Sequence, residues 1–522
     1  MLNLNVGILG HVDSGKTTLA KALSGIASTA AFDKNPQSQQ RGITLDLGFS
    51  ALQVPLPDHL RTADDGGAND GLLQYTFVDC PGHASLIRTI IGGAQIVDMM
   101  VLVVDIGKGI QTQTAECLVI GELTCQRMVV ALNKIDSVDV DKRVKVIEKM
   151  KKGLATALAK TVFVGSPIVE ISASGGINLE KFVEVLIQHS IVPLRNYKMP
   201  FLFAVDHCFA IKGQGTVCTG TVLQGSIKLN EDVEIPKLKL VRKVKSMQMF
   251  KQSQQEARQG DRVGICITQF DPKSLERGLL CKPGYISDIY AAVLRLNIIK
   301  YYKGPLKHKA KFHLTCGYET VMATITLFKG SGTDFTVCEQ YEFLEELDQS
   351  SIDEMVPVFA LLEFERPIQA VPNALVIGSR LDIDIHSNSC RLAFHGHLAY
   401  SCVDKEYSTT FLPQLQIYKE KQKVGSVQRV VNDMELIAAG LFKKEGSNRT
   451  AFVGLKVKLS TGENGVIEDT FGATSKVRLR FMQPLHESTL ERLKCKRPSE
   501  QPTVMVKYKK FLFKKGTNKI VQ

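Results

Sequence analysis

Over roughly the first 190 residues the chain sets short, mostly apolar runs against stretches with helical spacing. The runs Asn5–Leu9, Leu73–Val78, Met99–Val104, Met128–Leu132 and Ile168–Ile171 have the length and bulk of buried strands. Between them, the segments starting at Lys16 and around Ser85–Gln95 read as helices. This alternation predicts βα units around a largely parallel sheet. From Phe201 onward the texture changes. FLFAVDHCFAIKGQGTVCTGTVLQGSIKL, VEIPKLKLVRKVKSM and GDRVGICI alternate β-branched or aromatic residues with polar ones and are broken by Gly and Pro, the pattern of antiparallel barrels.

Punctuation divides the chain. Pro193 and Pro200 bracket a linker, and CKPG at Cys281–Gly284 closes the next module. The expected boundaries are 1–193, 199–288, 291–400 and 403–522, with Pro55–Gly71 as a surface loop between strands. No repeat of the solenoid or propeller kind is present. At ~150 residues per domain, 522 residues leave room for this many cores.

Composition narrows the class. With 44% hydrophobic and 23% charged residues, the chain reads as globular, not disordered or fibrous. Its first residues, MLNLNVGILGHVDSGK, interrupt the apolar stretch too early for a secretory signal. No uncharged run approaches the ~20 residues of a membrane-spanning helix, so no membrane partner is expected. Twelve cysteines without a CxxC pair argue against a disulfide scaffold or a zinc site and for reduced thiols in the cytosol.

The charge is strongly uneven. Residues 1–401 hold 42 Lys+Arg against 41 Asp+Glu, whereas 402–522 hold 23 against 12. Within Arg492–Lys519 ten basic side chains face Glu500 alone. Such an excess attracts a polyanion by releasing condensed counterions, which points to RNA. Lys507, Lys509, Lys510, Lys514 and Lys515 are the contact candidates, and Tyr508, Phe511 and Phe513 among them offer strand alternation or base stacking. A solvated tail is the plainer alternative. KYYKGPLKHKAKFH, ending at His313, is a second basic and aromatic stretch able to track an RNA backbone.

GHVDSGKT, Gly10–Thr17, fits GxxxxGK[ST] between a strand and a helix. Backbone N–H groups of such a loop wrap phosphates, its lysine reaches the terminal phosphates and its hydroxyl meets magnesium. Asp13, Ser14, Gly15, Lys16, Thr17 and Thr18 are therefore phosphate-facing candidates. Asp79-Cys80-Pro81-Gly82-His83 follows a second strand. Asp79 there is placed to order magnesium through water, or simply to cap a helix, and the Gly82 N–H to sense the γ-phosphate. Asn133-Lys134-Ile135-Asp136 follows a third; a carboxylate at Asp136 accepts both N1–H and N2–H of guanine, a donor pair adenine lacks. Ser172-Ala173-Ser174 follows a fourth and can offer backbone N–H to the base. Four such stations in order predict GTP or GDP as ligand with Mg2+ as cofactor; together with the texture and charge of the later chain, the expected fold is an α/β P-loop GTPase domain followed by two antiparallel β-barrels and a β-rich basic C-terminal domain.

GHVDSGKTTL, RGIT at Arg41–Thr44, DCPGH and NKID together resemble the translational GTPases of the elongation factor Tu family, and FAIKGQGTVCTGTVLQG with LERGLLCKPG extends the likeness through the second module. The resemblance implies that Thr44 joins Thr17 and Asp79 around magnesium. It also implies that His83 orients the attacking water on the ribosome after passing an apolar gate of Val12 and Ile43. The switch segment FDKNPQSQQRGITLDLGF, the trio Asp206, His207 and Arg262, and the added fourth module are similar to the selenocysteine-specific branch of that family. By that likeness the trio forms the aminoacyl pocket. A selenol ionises below neutral pH, unlike a cysteine thiol at about 8.5, so a fixed guanidinium at Arg262 can select it over serine. A surface salt bridge for Arg262 and a turn cap for Asp206 are the alternatives. The implied partners are selenocysteinyl-tRNA, the ribosome at UGA codons and a separate protein that binds the selenocysteine insertion hairpin. A cytosolic monomer is expected, with nuclear entry left open. Rival readings are another tRNA-carrying translational GTPase and the GTPase subunit of a sulfate adenylyltransferase.

Overall fold

The computed structural model describes residues 1–24, 26–27, 47–61, 71–81, 89, 91–92, 96–211, 215–250, 252–268, 270–275, 277–317, 319–330, 332–351, 355–382, 390–442, 452–471, 476–495, 497, 501–514 and 520–522. Two compact units contain them. The first is Met1–Leu306, Ala310–Ile325 and Leu362–Val403; the second is Lys307–Lys309, Thr326–Leu361 and Asp404–Gln522.

The first unit begins with β1 (Leu2–Gly10), α1 (Lys16–Leu23), β2 (Ile26–Ala27), β3 (Gly48–Pro55), β4 (Leu72–Asp79), β5 (Met99–Asp105), α2 (Thr112–Thr124), β6 (Met128–Asn133), α3 (Val140–Leu158), β7 (Ile168–Glu170) and α4 (Leu179–His189). The sheet order is β2-β3-β4-β1-β5-β6-β7. Strands β4, β1, β5, β6 and β7 run parallel, while β2 and β3 are antiparallel to their neighbours. Every residue of β5 and β6 is buried, as strands covered by helices on both faces require. The strand β3 has no counterpart among the apolar runs of the sequence. Its SALQVP portion mixes polar and apolar positions because its outer end lies at the antiparallel margin of the sheet and becomes exposed. Of the expected helix at Ser85–Gln95 and the loop within Pro55–Gly71, only fragments fall among the described residues.

Beyond the linker, β8 (Leu202–Ile211) and β9 (Gly215–Gln224) open an antiparallel barrel. Gly278–Cys281 pairs with β8, Arg262–Ile267 with β9, and Leu240–Met249 with both Arg262–Ile267 and Asp232–Ile235, which returns to Gly278–Cys281 and closes the ring. Phe203, Val205, Cys218, Val263 and Ile265 fill its interior. Further along the same unit, Lys311–Cys316, Leu375–Ser379, Leu392–Cys402 and Asp288–Ile298 pair in succession as an antiparallel sheet. Glu116 of α2 takes Arg391 in a buried two-point grip, with Nε at 3.0 Å and Nη2 at 2.7 Å from the two carboxylate oxygens. Nothing in the local sequence of either residue announces that pair.

In the second unit Gln416–Val430, Glu435–Ala439, Lys476–Phe481, Asn464–Phe471, Lys456–Leu459 and Thr503–Phe511 pair in that order, and Thr503–Phe511 returns to Gln416–Val430. The barrel is closed, which leaves no free edge among its members. Leu436, Val457, Leu479, Phe481, Val504 and Val506 form its core.

Candidate nucleotide and cargo sites

The turn after β1 is shaped by two left-handed residues, Asp13 at φ 61° and Gly15 at φ 94°. A side chain at Gly15 would place its Cβ 2.2 Å from Asn133 Nδ2, so glycine here serves a close approach as well as a backbone angle. Lys16 opens α1 and turns back into the loop, where its Nζ donates to the His11 carbonyl at 2.9 Å. Burial lowers its pKa, with the nearby Asp79 carboxylate pulling the other way. Thr17 Oγ1 donates to Asp79 Oδ2 at 2.6 Å, joining the start of α1 to the end of β4. Ser14 is buried, whereas Asp13 and Thr18 are exposed at the rim. Val12 is half-buried, and its N–H meets Gln113 Oε1 at 3.4 Å.

Asn133 ties the base-side loops together. Its Nδ2 donates to the Ser14 carbonyl at 2.9 Å, and its Oδ1 accepts the Ala173 N–H at 3.0 Å. One side chain thus fixes the phosphate loop and the SAS loop to the end of β6. Lys134, left-handed at φ 64°, aims its Nζ at Asp105 Oδ2, 2.9 Å away. Burial works to raise the Asp105 carboxyl, but Lys134 and the Gly107 N–H outweigh it and hold the group below its ordinary range. Asp136 stands exposed on the turn Ile135–Ser137, open to a ligand. Ser172 is fully buried and its Oγ accepts the Gly175 N–H at 3.0 Å. Asp105 and Gln113 belong to none of the sequence motifs, although Asp105 stands at a strand end like Asp79 and Asn133. Ile43, Thr44, Gly82 and His83 lie outside the described residues.

The trio of the second module is brought together by strand register and one irregularity. Arg262 pairs across to Thr221, and His207 to Thr219, which places both on the same side of the barrel wall. Between Val205 and His207 the register slips by a residue. Simple alternation would send the adjacent Asp206 and His207 to opposite faces; a bulge lets both emerge on one. Asp206 and Arg262 form an ion pair with side chains 1% and 5% exposed. Phe49 of β3 lies under the guanidinium, with its ring centroid 3.1 Å from the Arg262 Cζ. His207 is half-buried alongside. Arg262 therefore makes no surface salt bridge, and Asp206 is not a turn cap. Phe49 went unremarked in the sequence, since nothing there relates it to Arg262.

Among the described residues, the basic end of the chain includes a barrel strand. Thr503–Phe511 is a barrel strand in which Lys507 and Lys510 are exposed while Tyr508 and Phe511 are 7% and 1% exposed. Alternation carries Val504, Val506 and Tyr508 into the core and breaks before Phe511, and neither ring is open as a stacking platform. Phe513 is half-buried. Lys509 donates to Gln340 at 2.8 Å and covers the Tyr418 ring, and Lys514 lies 4.2 Å from the Phe511 centroid. Lys515 is outside the described residues. In the other basic stretch Tyr302 and Phe312 are likewise buried, which leaves Lys300, Lys303, Lys307, Lys309 and Lys311 exposed.

Fold and site together define a translational GTPase of the elongation factor Tu type. The family model for the elongation factor Tu GTP binding domain matches residues 2–191, and that for elongation factor Tu domain 2 matches 215–280. Residues 293–396 match the third domain of eukaryotic selenocysteine-specific elongation factors, and 413–517 the eEFSec C-terminal RIFT domain. A selenocysteine-specific elongation factor from Mus musculus is 51% identical over 92% of this chain and 88% of its own length. One from Methanocaldococcus jannaschii is 38% identical over 63% of this chain and 67% of its own. The crystal structure of translation elongation factor SelB from Methanococcus maripaludis with the GTP analogue GppNHp superposes with a TM-score of 0.70 at 26% identity, covering 98% of this chain and 99% of that one. The chain belongs to the selenocysteine-specific elongation factors. It binds and hydrolyses GTP, and its fold is a GTPase domain followed by two β-barrels and a RIFT domain. No helix among the described residues is long and apolar enough to cross a membrane.

Proposed function

We propose that this protein carries selenocysteinyl-tRNA to ribosomes halted at UGA, selecting its cargo by the charge of the selenolate. The observation that carries the reading is the buried Arg262, oriented by Asp206 and braced on Phe49, with His207 beside it. Burying a guanidinium beside a carboxylate is no route to stability in itself, because desolvation offsets much of the attraction. Such a group makes sense where an anion arrives. Asp206 takes one nitrogen of the planar fork and aligns the rest. Phe49 follows shortly after Thr44 in the chain, so its contact with Arg262 offers a route by which GTP governs retention.

At the nucleotide, Asp136 reads guanine, Ser172 and Ala173 close over the base, and Asp13, Ser14, Gly15, Lys16, Thr17 and Thr18 wrap the phosphates, with Gly82 sensing the last of them. The paired Thr17 hydroxyl and buried Asp79 carboxylate are oxygen donors of the kind Mg2+ takes, and with Thr44 they would hold it against the phosphates, where it supplies charge neutralisation. His83 positions water once it passes Val12 and Ile43. The exposed Lys507 and Lys510, with Lys509, Lys514 and Lys515 nearby, would meet tRNA, ribosome or a separate hairpin-binding protein. The protein acts as a monomer in the cytosol.

Two variants test this reading. Arg262→Ala is expected to bind GTP normally and to shield selenocysteinyl-tRNA no better than seryl-tRNA from deacylation, while Arg262→Lys retains part of the preference. An undiminished preference in both would refute the pocket. His83→Ala is expected to hold both ligands yet show no ribosome-stimulated GTP hydrolysis; normal turnover would remove it from the mechanism.

A further inference from the structure

One face of the second module carries chemistry that neither GTP nor cargo binding uses. Cys208 of β8 and Cys218 of β9 are register partners, one residue past His207, and the Cys208 S–H points at the Cys218 sulfur 3.3 Å away. Residues directly opposite on antiparallel strands have Cα atoms about 4.5–5.5 Å apart, inside the range that a disulfide spans. The side chains share a face: Cys218 is wholly buried in the barrel core, and Cys208 packs against that core while staying partly open to solvent.

Cys266 is close in sequence position to this group but is turned away from it. It pairs with Val217, while Cys218 pairs with Ile265, so alternation along the strand puts Cys266 on the opposite side of the wall. Its sulfur accordingly lies near Gly215, where an added Cβ would sit 3.4 Å from it. The geometry therefore selects one pair out of three neighbouring cysteines.

We propose that Cys208 and Cys218 are a dithiol that hydrogen peroxide converts to a cross-strand disulfide, stapling β8 to β9 beside His207 and altering retention of the aminoacyl group. The order of events follows from the surroundings. Cys208 is the sulfur that solvent reaches, whereas the contact with Cys208, together with burial, pushes the Cys218 thiol up and keeps it protonated. The Cys208 thiolate attacks one peroxide oxygen; the O–O bond breaks, the departing hydroxide takes a proton to become water, and Cys208 becomes a sulfenic acid. The Cys218 sulfur then attacks the Cys208 sulfur and gives up its proton, and the sulfenic hydroxyl leaves as a second water. Two thiols lose two electrons and one peroxide gains them. The second half of the proposal, the effect on cargo, rests on the pocket placement given above.

The test uses the full-length protein with GTP bound. It is exposed to hydrogen peroxide, free thiols are then alkylated, and cysteine peptides are mapped by mass spectrometry with and without dithiothreitol. The expected result is a dithiothreitol-sensitive linkage of the Cys208 and Cys218 peptides, and in Cys218→Ala a sulfenic or sulfinic Cys208 with no linkage. Oxidation of the exposed Cys338 with Cys208 and Cys218 still reduced would overturn the dithiol, as would a Cys208 linkage to Cys266. In parallel, shielding of selenocysteinyl-tRNA by oxidised protein is expected to change at least threefold, to recover with dithiothreitol, and to stay constant in Cys208→Ser. If the linkage forms, cargo shielding is unaffected and reduced protein still prefers selenocysteinyl- over seryl-tRNA, the link to cargo is overturned and the pocket stands.

Discussion

Single residues in this protein show how far their surroundings reassign them. Lys16 was legible in the sequence because its motif fixes both its neighbours and its task. What the motif does not reveal is that Lys16 is 6% exposed and bonded back into its own loop, so that burial lowers its pKa despite the opposing Asp79. The phosphates of GTP favour the charged amine, so the pKa in the complex lies above that in the free protein. Between those two values, binding takes up a proton, and affinity declines as pH rises toward the ordinary lysine range. Calorimetry of GTP binding in buffers of different ionisation enthalpy is expected to register proton uptake as pH rises toward the ordinary lysine range, an uptake that vanishes in Lys16→Met; no uptake at any pH would mean that the amine enters the complex already fully charged. Arg262 presents the opposite case. Its identity was plain from the sequence and its seat was not, since Phe49, which braces it, belongs to a distant segment with no motif of its own.

At the level of elements, the parallel core was readable because strands buried on both faces leave unbroken apolar runs. The outer strand β3 was not, because a strand that reaches the margin of a sheet mixes polar and apolar residues. The bulge in β8 also left no trace in the sequence, yet it alone allows consecutive Asp206 and His207 to share a face. The last basic strand was half-read. Alternation of lysines with aromatics offers either a strand or rings for RNA bases; the closed barrel takes Tyr508 into its core, while Phe511, three residues on, is buried against the Tyr418 ring. What faces outward is charge. Replacing both Lys507 and Lys510 with Gln is therefore expected to weaken RNA binding by lowering the slope of log affinity against log salt by about 1–2, without the loss of thermal stability that a core change would bring. An unaltered slope in filter-binding titrations would place the RNA elsewhere.

Taken whole, the molecule joins a timer to a grip. The timer is a set of loops at strand ends that Asn133 fastens together, and the proposed grip is a buried cation on a barrel wall, braced by Phe49 from a strand of the sheet that carries those loops. On the proposed reading, that fixed positive charge is what separates selenocysteine from other amino acids. The direct test is to measure, with GTP bound, the affinity of the unmodified protein for one tRNA esterified in turn with selenocysteine, cysteine and serine at neutral pH. The account predicts that the selenocysteinyl form, anionic at that pH, binds at least tenfold more tightly than the two neutral ones. Equal binding of selenocysteinyl- and cysteinyl-tRNA would contradict it.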